Sequence, residues 1–205
     1  MKVAVLGASG KGGSQITKEL VSRGHQVVAI ARNPEKLPSG EGITPVQGDA
    51  SDAGALAKQI AGVDAVISAV HFDIPASTLL SAVEQAGVNR LLVMGGAASL
   101  KNAEGVRLYD SPGFPENIKP FVLPAIHFLD EIKQEHDVDW TFFSPAMVIF
   151  EGERKGPGSF KLGQDNLVTD ANGESKISYA DYAIAMVDEL ERHAHSRKRF
   201  TAAYA

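Results

Sequence analysis

The sequence predicts an α/β fold: a doubly wound, mostly parallel sheet with helices on both faces. Three observations carry that prediction. Six short runs of apolar and β-branched residues recur along the chain, at 3–6, 26–30, 44–47, 65–68, 90–94 and 140–143. They are apolar throughout rather than alternating, as strands covered on both faces are. Helix-length segments separate them, at 12–23, 52–60, 76–86 and 121–136, and repeated strand–helix–strand units dictate parallel pairing with right-handed crossovers.

The first strand, "VAVL", runs directly into "GASGKGG", where Gly7, Gly10 and Gly13 stand three apart. Between a strand and a helix each of these glycines has a use. Gly7 permits the tight turn, Gly10 lets a pyrophosphate approach the backbone, and Gly13 lets the helix pack closely on the sheet. Helix N–H groups and the positive end of the helix dipole lie behind the phosphate. Ser9, Lys11 and Gly12 complete the candidate phosphate turn. Gly24, Gly62 and Gly87 each fall just past a helical stretch, where a left-handed cap is wanted.

The second strand ends in "ARNPEKL". Arg32 stands 25 residues after Gly7, where NAD-binding proteins place an acidic residue for the ribose hydroxyls. A guanidinium at that place grips a 2′-phosphate bidentately. NADP(H) is therefore expected over NAD(H), with Lys36 and Lys11 as further positive charges that read equally well as surface lysines. His71 and Phe72 follow the fourth strand; His71 is a candidate proton donor, although a loop pair that merely covers the cofactor is the favoured reading.

Behind the fifth strand lies a loop rich in glycine and proline, at about 96–119, and a second excursion follows the sixth strand at about 150–177. Loops of that length inside a compact domain are usually lids or binding segments, and both are expected on the substrate side. The second is expected to hold one short strand at 166–168. Ser178 then opens the last helix with "SYAD", a capping box with Asp in place of Glu, and Tyr182, Ala185, Met186 and Leu190 share one face. "RFTAAYA" reads as a closing edge strand, the Asp and Glu cluster of the last helix as a solvated face, and "HAHSRKRF" as a helix C-terminus. No repeat or linker divides the chain, so residues 1–205 are expected to form one domain.

The totals exclude several functions. A formal charge of −5 opposes a nucleic-acid surface. No apolar run approaches the roughly 18 residues of a membrane span, and the N-terminus lacks a signal-peptide layout. The absence of cysteine removes disulfides, thiol nucleophiles and thiolate metal sites. His193 and His195, two apart, make a poor metal pair, so no metal is expected. The expected setting is the cytoplasm, the expected assembly a monomer or homodimer, and the expected partner a small-molecule acceptor.

Five segments, "GASGKGG", "ARNPEKL", "VQGDASD", "DAVISAV" and "WTFFSPAMV", together resemble the atypical short-chain dehydrogenase/reductases. "RLYDSPGFP" and "DANGESKISYADYA" are similar to their NAD(P)H-binding NADH-flavin reductase branch, akin to biliverdin-IXβ/flavin reductases and NmrA-like proteins. The resemblance implies a Rossmann-type fold with Asp49 and Ala50 beside the adenine and Ser68, Ala69 and Val70 lining the cofactor. It implies Gly95 and Gly96 facing the nicotinamide ribose, and Pro145 flanking the carboxamide.

One departure bears on chemistry. Typical members carry a Tyr-x-x-x-Lys pair on the helix after the fifth strand, whose tyrosine protonates a carbonyl oxygen. Here that helix, "KPFVLPAIHFLDEIKQE", has no tyrosine, and Tyr109 is followed four residues on by Gly113. Ketone and alcohol chemistry loses its acid. Reduction of a flavin or quinone survives better, because holding donor and acceptor together suffices. The expected function is an NADPH-dependent reductase of a flavin, quinone or similar conjugated acceptor, with flavin as substrate rather than bound cofactor. The alternative is an NADP-binding redox sensor of the NmrA-like type without turnover. No catalytic residue is assigned; His71, Tyr109 and His127 are the candidates, with Phe72, Ser99, Tyr109 and Met147 as pocket walls.

Overall fold

The structure, a computed structural model, describes residues 1–205. Its elements are β1 (Lys2–Leu6), α1 (Lys11–Ser22), β2 (Gln26–Ala31), β3 (Ile43–Gln47), α2 (Ala53–Gln59), β4 (Ala65–Ser68), α3 (Ala76–Gln85) and β5 (Arg90–Met94). These are followed by α4 (Lys119–Ile132), β6 (Asp139–Ser144), β7 (Val148–Phe150), β8 (Phe160–Gly163), β9 (Lys176–Ser178), α5 (Tyr179–Arg192) and β10 (Lys198–Tyr204). Eight strands form one sheet in the order β3-β2-β1-β4-β5-β6-β10-β8, while β7 and β9 pair separately. All neighbours in the large sheet are parallel except β8, which runs antiparallel to β10.

Alternate residues of each strand face opposite ways, so an all-apolar strand needs a cover on both sides. Val3 and Val5 of β1 enter a core of 25 buried residues shared with α1 and α5. Ala4 and Leu6 enter another of 23, shared with α2, α3 and α4. The near-equal sizes show that neither face is left wet. Left-handed glycines end the first three helices: Gly24 at φ +81, Gly62 at +79 and Gly87 at +70.

The sheet departs from the sequence reading at its far end. β10 is not an edge strand; it lies between β6 and β8, and six of its seven residues are buried. Small apolar residues such as Ala202 and Ala203 suit a strand covered on both faces. The edge belongs to β8, where Lys161 and Leu162 remain exposed, a charge being one way to blunt an edge. No strand forms at 166–168; Asn166 makes a single bridge with Lys101. The tail "HAHSRKRF" is also only partly a helix terminus. The helix stops at Arg192, His193 takes the left-handed cap at φ 56, and the rest runs into β10. Helix α4 starts two residues before the expected point, because Pro120 occupies the first turn, where no N–H is required. It stops at Ile132, and the Glu135 carboxylate takes the amides of Asp137 and Val138 at 2.5 and 3.0 Å to turn the chain into β6.

Strand order reverses between β1 and β4, and in such sheets a crevice opens at that point, outside the carboxyl ends of the strands. No helix is long and apolar enough to cross a membrane, and no group of three or more metal-ligating residues gathers anywhere.

Candidate functional site

The turn after β1 is built by exclusion. Gly7 sits at φ +73, and a Cβ there would lie 2.7 Å from the Ala69 carbonyl oxygen. A Cβ on Gly13 would lie 2.1 Å from the Gly7 oxygen, so Gly13 lets the helix close on the turn as well as on the sheet. Gly12 is pressed against Met94, whose sulfur would be 2.4 Å away. Gly10 differs: its nearest neighbour would be 3.4 Å off, so the protein itself does not demand glycine there. The bare face is turned outward, towards whatever approaches the helix start.

No side chain caps α1. The amides of Lys11, Gly12 and Gly13 donate to no group of the protein, and unsatisfied helix-start amides carry about half a positive charge. This turn borders a cleft of about 250 Å³. Gly7, Ser9 and Gly10 form one side; the end of β2 contributes Ala31 and Arg32, the turn after β3 contributes Asp49 and Ala50, and the turn after β4 contributes Ala69, Val70 and His71. Arg32 is exposed, and its guanidinium makes no ion pair. Asp49 receives the Ser51 amide at 2.9 Å and its hydroxyl at 2.7 Å. The Ser51 amide first, its hydroxyl next, and the charge of Arg32 hold the Asp49 carboxyl below its ordinary range.

Several other sequence candidates stand outside this cleft. Lys11 pairs with Glu151 at 3.0 Å on the exposed surface, which raises its pKa through that hydrogen bond and charge. Lys36 is exposed in a short 3-10 turn beyond the cleft. Ser68 is buried beneath the floor, Pro145 is buried, and Gly95 exists for packing, since a Cβ would lie 2.2 Å from the Phe142 ring. Gly96, Phe72 and Ser99 gather instead in a second, smaller cleft beside α4. Met147 is exposed and borders neither. His127 points to solvent between buried Ile126 and Phe128. Tyr109 packs on Phe114 at 5.8 Å with Lys119 over its ring, and neither residue borders either cleft. Of the three catalytic candidates only His71 stands at the cofactor cleft.

Sequence reasoning missed Ser51, although "GDASD" places it two residues past Asp49, and it missed Ile74 and Asp73 on the wall below His71. It also missed Glu151 and Arg199, whose contacts cross from distant segments and leave no local signal.

Residues 7–193 match the family described as NAD(P)H-binding. The chain belongs to this NAD(P)H-binding family. Its fold is of the Rossmann type. YwnB of Bacillus subtilis is 40% identical, over 98% of this chain and 97% of its own. A Bacteroides thetaiotaomicron structure called a "putative epimerase" is 41% identical with a TM-score of 0.92, covering 99% and 96% of the two chains. A Streptococcus pneumoniae structure called a "putative NADH-flavin reductase" is 34% identical with a TM-score of 0.86, covering both chains fully.

The site residues fit the cofactor that this NAD(P)H-binding family takes. A diphosphate is matched by the free amides at the start of α1 and by the open face of Gly10. The adenosine end is matched by the Arg32–Asp49–Ala50 wall.

Proposed function

We propose that the protein is an NADPH-dependent reductase that passes hydride to a flavin, quinone or similar conjugated acceptor. Arg32 carries the choice of NADPH: an exposed guanidinium in no direct ion pair, on the wall where the ribose 2′ position belongs. The choice of acceptor rests on α4, which presents Phe121, Val122, Ala125 and Ile126 to the second cleft and no phenol. An acceptor already activated by conjugation needs no strong acid.

When bound, the nicotinamide supplies the hydride; the chain's residues do the holding. The Gly7–Gly13 turn would hold the diphosphate and Arg32 the adenosine end, while Val70 lines the first cleft and Phe72 the second. Purified protein mixed with NADPH and FMN, riboflavin or a quinone consumes the reduced cofactor, followed by its absorbance. Tight NADPH binding with no consumption by any acceptor assigns the chain to the sensor class instead.

A further inference from the structure

A third cleft, of about 280 Å³, opens between α5 and the far edge of the sheet and shares no residue with the two clefts already described. Phe160 and Leu162 of β8, two apart and so on one face of the strand, form its outer wall. Ala185, Asp188 and Arg192 of α5 form the inner one, and Glu189 and His195 close its polar end. Glu189 pairs with Arg90, the first residue of β5, and the His195 carbonyl accepts from Thr141 in the first half of β6. The polar end therefore lies at the amino ends of these strands, away from the cofactor cleft.

The His195 imidazole is held in two ways. Its ring is the last plate of a stack: Tyr182 lies on Phe143 at 4.0 Å, Phe143 on Phe200 at 4.1 Å and Phe200 on His195 at 4.4 Å, all within 12° of parallel. Its edge is held by Glu189, only 4% exposed, whose carboxylate accepts from the His195 amide at 2.8 Å and stands 2.7 Å from Nδ1. A carboxylate can only accept, so Nδ1 carries the proton, and Nε2 of the neutral ring is left with a lone pair. Nε2 has no partner in the protein. The sealed and unpaired side-chain atoms belong to Thr17, Gln59 and Arg90 and not to His195, so this nitrogen is open to the cleft it borders. A buried carboxylate and a stacked ring thus aim one acceptor into a cavity that nothing in the chain fills.

We propose that this cleft binds a neutral bicyclic aromatic alcohol, of the size of a naphthol, whose hydroxyl donates to His195 Nε2. Size follows from volume: roughly 150 Å³ of apolar cavity takes one benzene ring, so a cleft nearly twice as large takes two fused rings. The hydroxyl follows from the tautomer, which calls for a donor. Neutrality follows from the walls. Asp188 and Glu189 repel an anion, and Asp188 is already answered by Arg23 at 2.8 Å and by Arg192 at 3.7 Å, which leaves no bare charge for a cation. The rings lie along Phe160 and along Leu162, whose side chain is otherwise 53% exposed. The site stands whether or not the chain is a reductase.

Binding to the whole protein in excess NADP+, which keeps probes out of the cofactor cleft, provides the test, with 2-naphthol, its methyl ether and 2-naphthoate as probes. Ligand-observed magnetic resonance titration is expected to show the naphthol bound about tenfold more tightly than the ether, the scale of one hydrogen bond, and the naphthoate no more tightly than the ether. His195→Phe keeps the ring stack and removes Nε2, so the naphthol falls to the level of the ether. Leu162→Trp, at an exposed edge position, fills the cleft and excludes both. In protein labelled with nitrogen-15 histidine, one Nε2 signal moves with the naphthol and not with the ether, and does not move in Leu162→Trp; this readout serves even where His195→Phe fails to fold. Equal binding of naphthol and ether, an advantage that survives His195→Phe, unaltered binding in Leu162→Trp, or a naphthoate that binds more tightly than the naphthol overturns the site. Naphthol binding seen only without NADP+ also overturns it, and places the probe in the cofactor cleft.

Discussion

Gly7, Gly10 and Gly13 look alike in the sequence, yet each meets a different neighbour. Gly7→Ala places a side chain at φ +73 and 2.7 Å from a backbone oxygen that cannot step aside. The expected cost is about 2 kcal/mol, read as a lowered melting temperature with loss of cofactor binding. Gly10→Ala meets nothing closer than 3.4 Å, so it is expected to fold normally and to weaken the cofactor alone; a melting temperature that falls as far as that of Gly7→Ala refutes this division of labour. Arg32→Asp is expected to weaken NADPH about 100-fold, the scale of a lost charged contact plus a new repulsion, while NADH changes little. Equal losses for both cofactors, measured by titration calorimetry, rule out the 2′-phosphate role. The glycine turn after β1 and the place of Arg32 at the end of β2 were legible because each is set by its local stretch of sequence. The fate of Lys11 was not: Glu151 reaches it from beyond β7, and no spacing rule connects the two.

Helix α5 shows how an element's start becomes a tie between segments. Ser178 caps it by accepting the Asp181 amide at 3.1 Å, as "SYAD" predicts. The other half of the capping box is not made, since Asp181 does not take the Ser178 amide; Tyr204 Oη does, at 3.2 Å. Buried Asp181 turns instead to the Lys155 and Gly156 amides at 3.0 and 2.9 Å and to the Tyr204 hydroxyl at 2.5 Å. The shorter reach of Asp relative to Glu explains the change. With Glu151 on Lys11 and Arg154 on Glu19, the first part of the 150–177 excursion is latched to α1 and α5, and none of its residues lines the second cleft. Asp181→Ala strands two amides and a hydroxyl, and is expected to cost about 2 kcal/mol. Hydrogen exchange at Lys155 and Gly156 is then expected to accelerate; unchanged exchange there disproves the latch. Long regular elements were legible because apolar runs and glycine caps are local. β7, β8 and β9, of three or four residues each, are too short to carry a period, and they exist because partners elsewhere fix them.

Across the whole molecule the acidic residues are less solvated than the charge pattern suggests. Glu189 in the expected solvated cluster is buried, meeting Arg90 at 3.2 Å and His195 at 2.7 Å. Arg23 joins α1 to α5 through Glu19, Asp188 and Glu191. Burial works to raise the carboxyl pKa of Glu19, but the hydrogen bonds and charges of Arg154 and Arg23 outweigh it and hold the group low. Burial is likewise overcome at Glu191 by His25 and Arg23, and at Asp139 by Ser196, Arg90 and His193. Each of these carboxylates is thus more acidic folded than unfolded. Their stabilisation is complete above the unfolded carboxyl value of about 4 and drains away as pH falls through the lower native values. Melting temperature is therefore expected to stay level from neutral pH down to about 5 and to drop steeply below about 4. Glu19→Gln removes one of the linked groups, so its melting curve starts lower at neutral pH and converges on the parent's in acid. A constant gap between the two curves across the whole range is the result that contradicts this linkage, since an uncharged loss of packing at the α1–α5 seam has no reason to fade when the carboxylates are protonated.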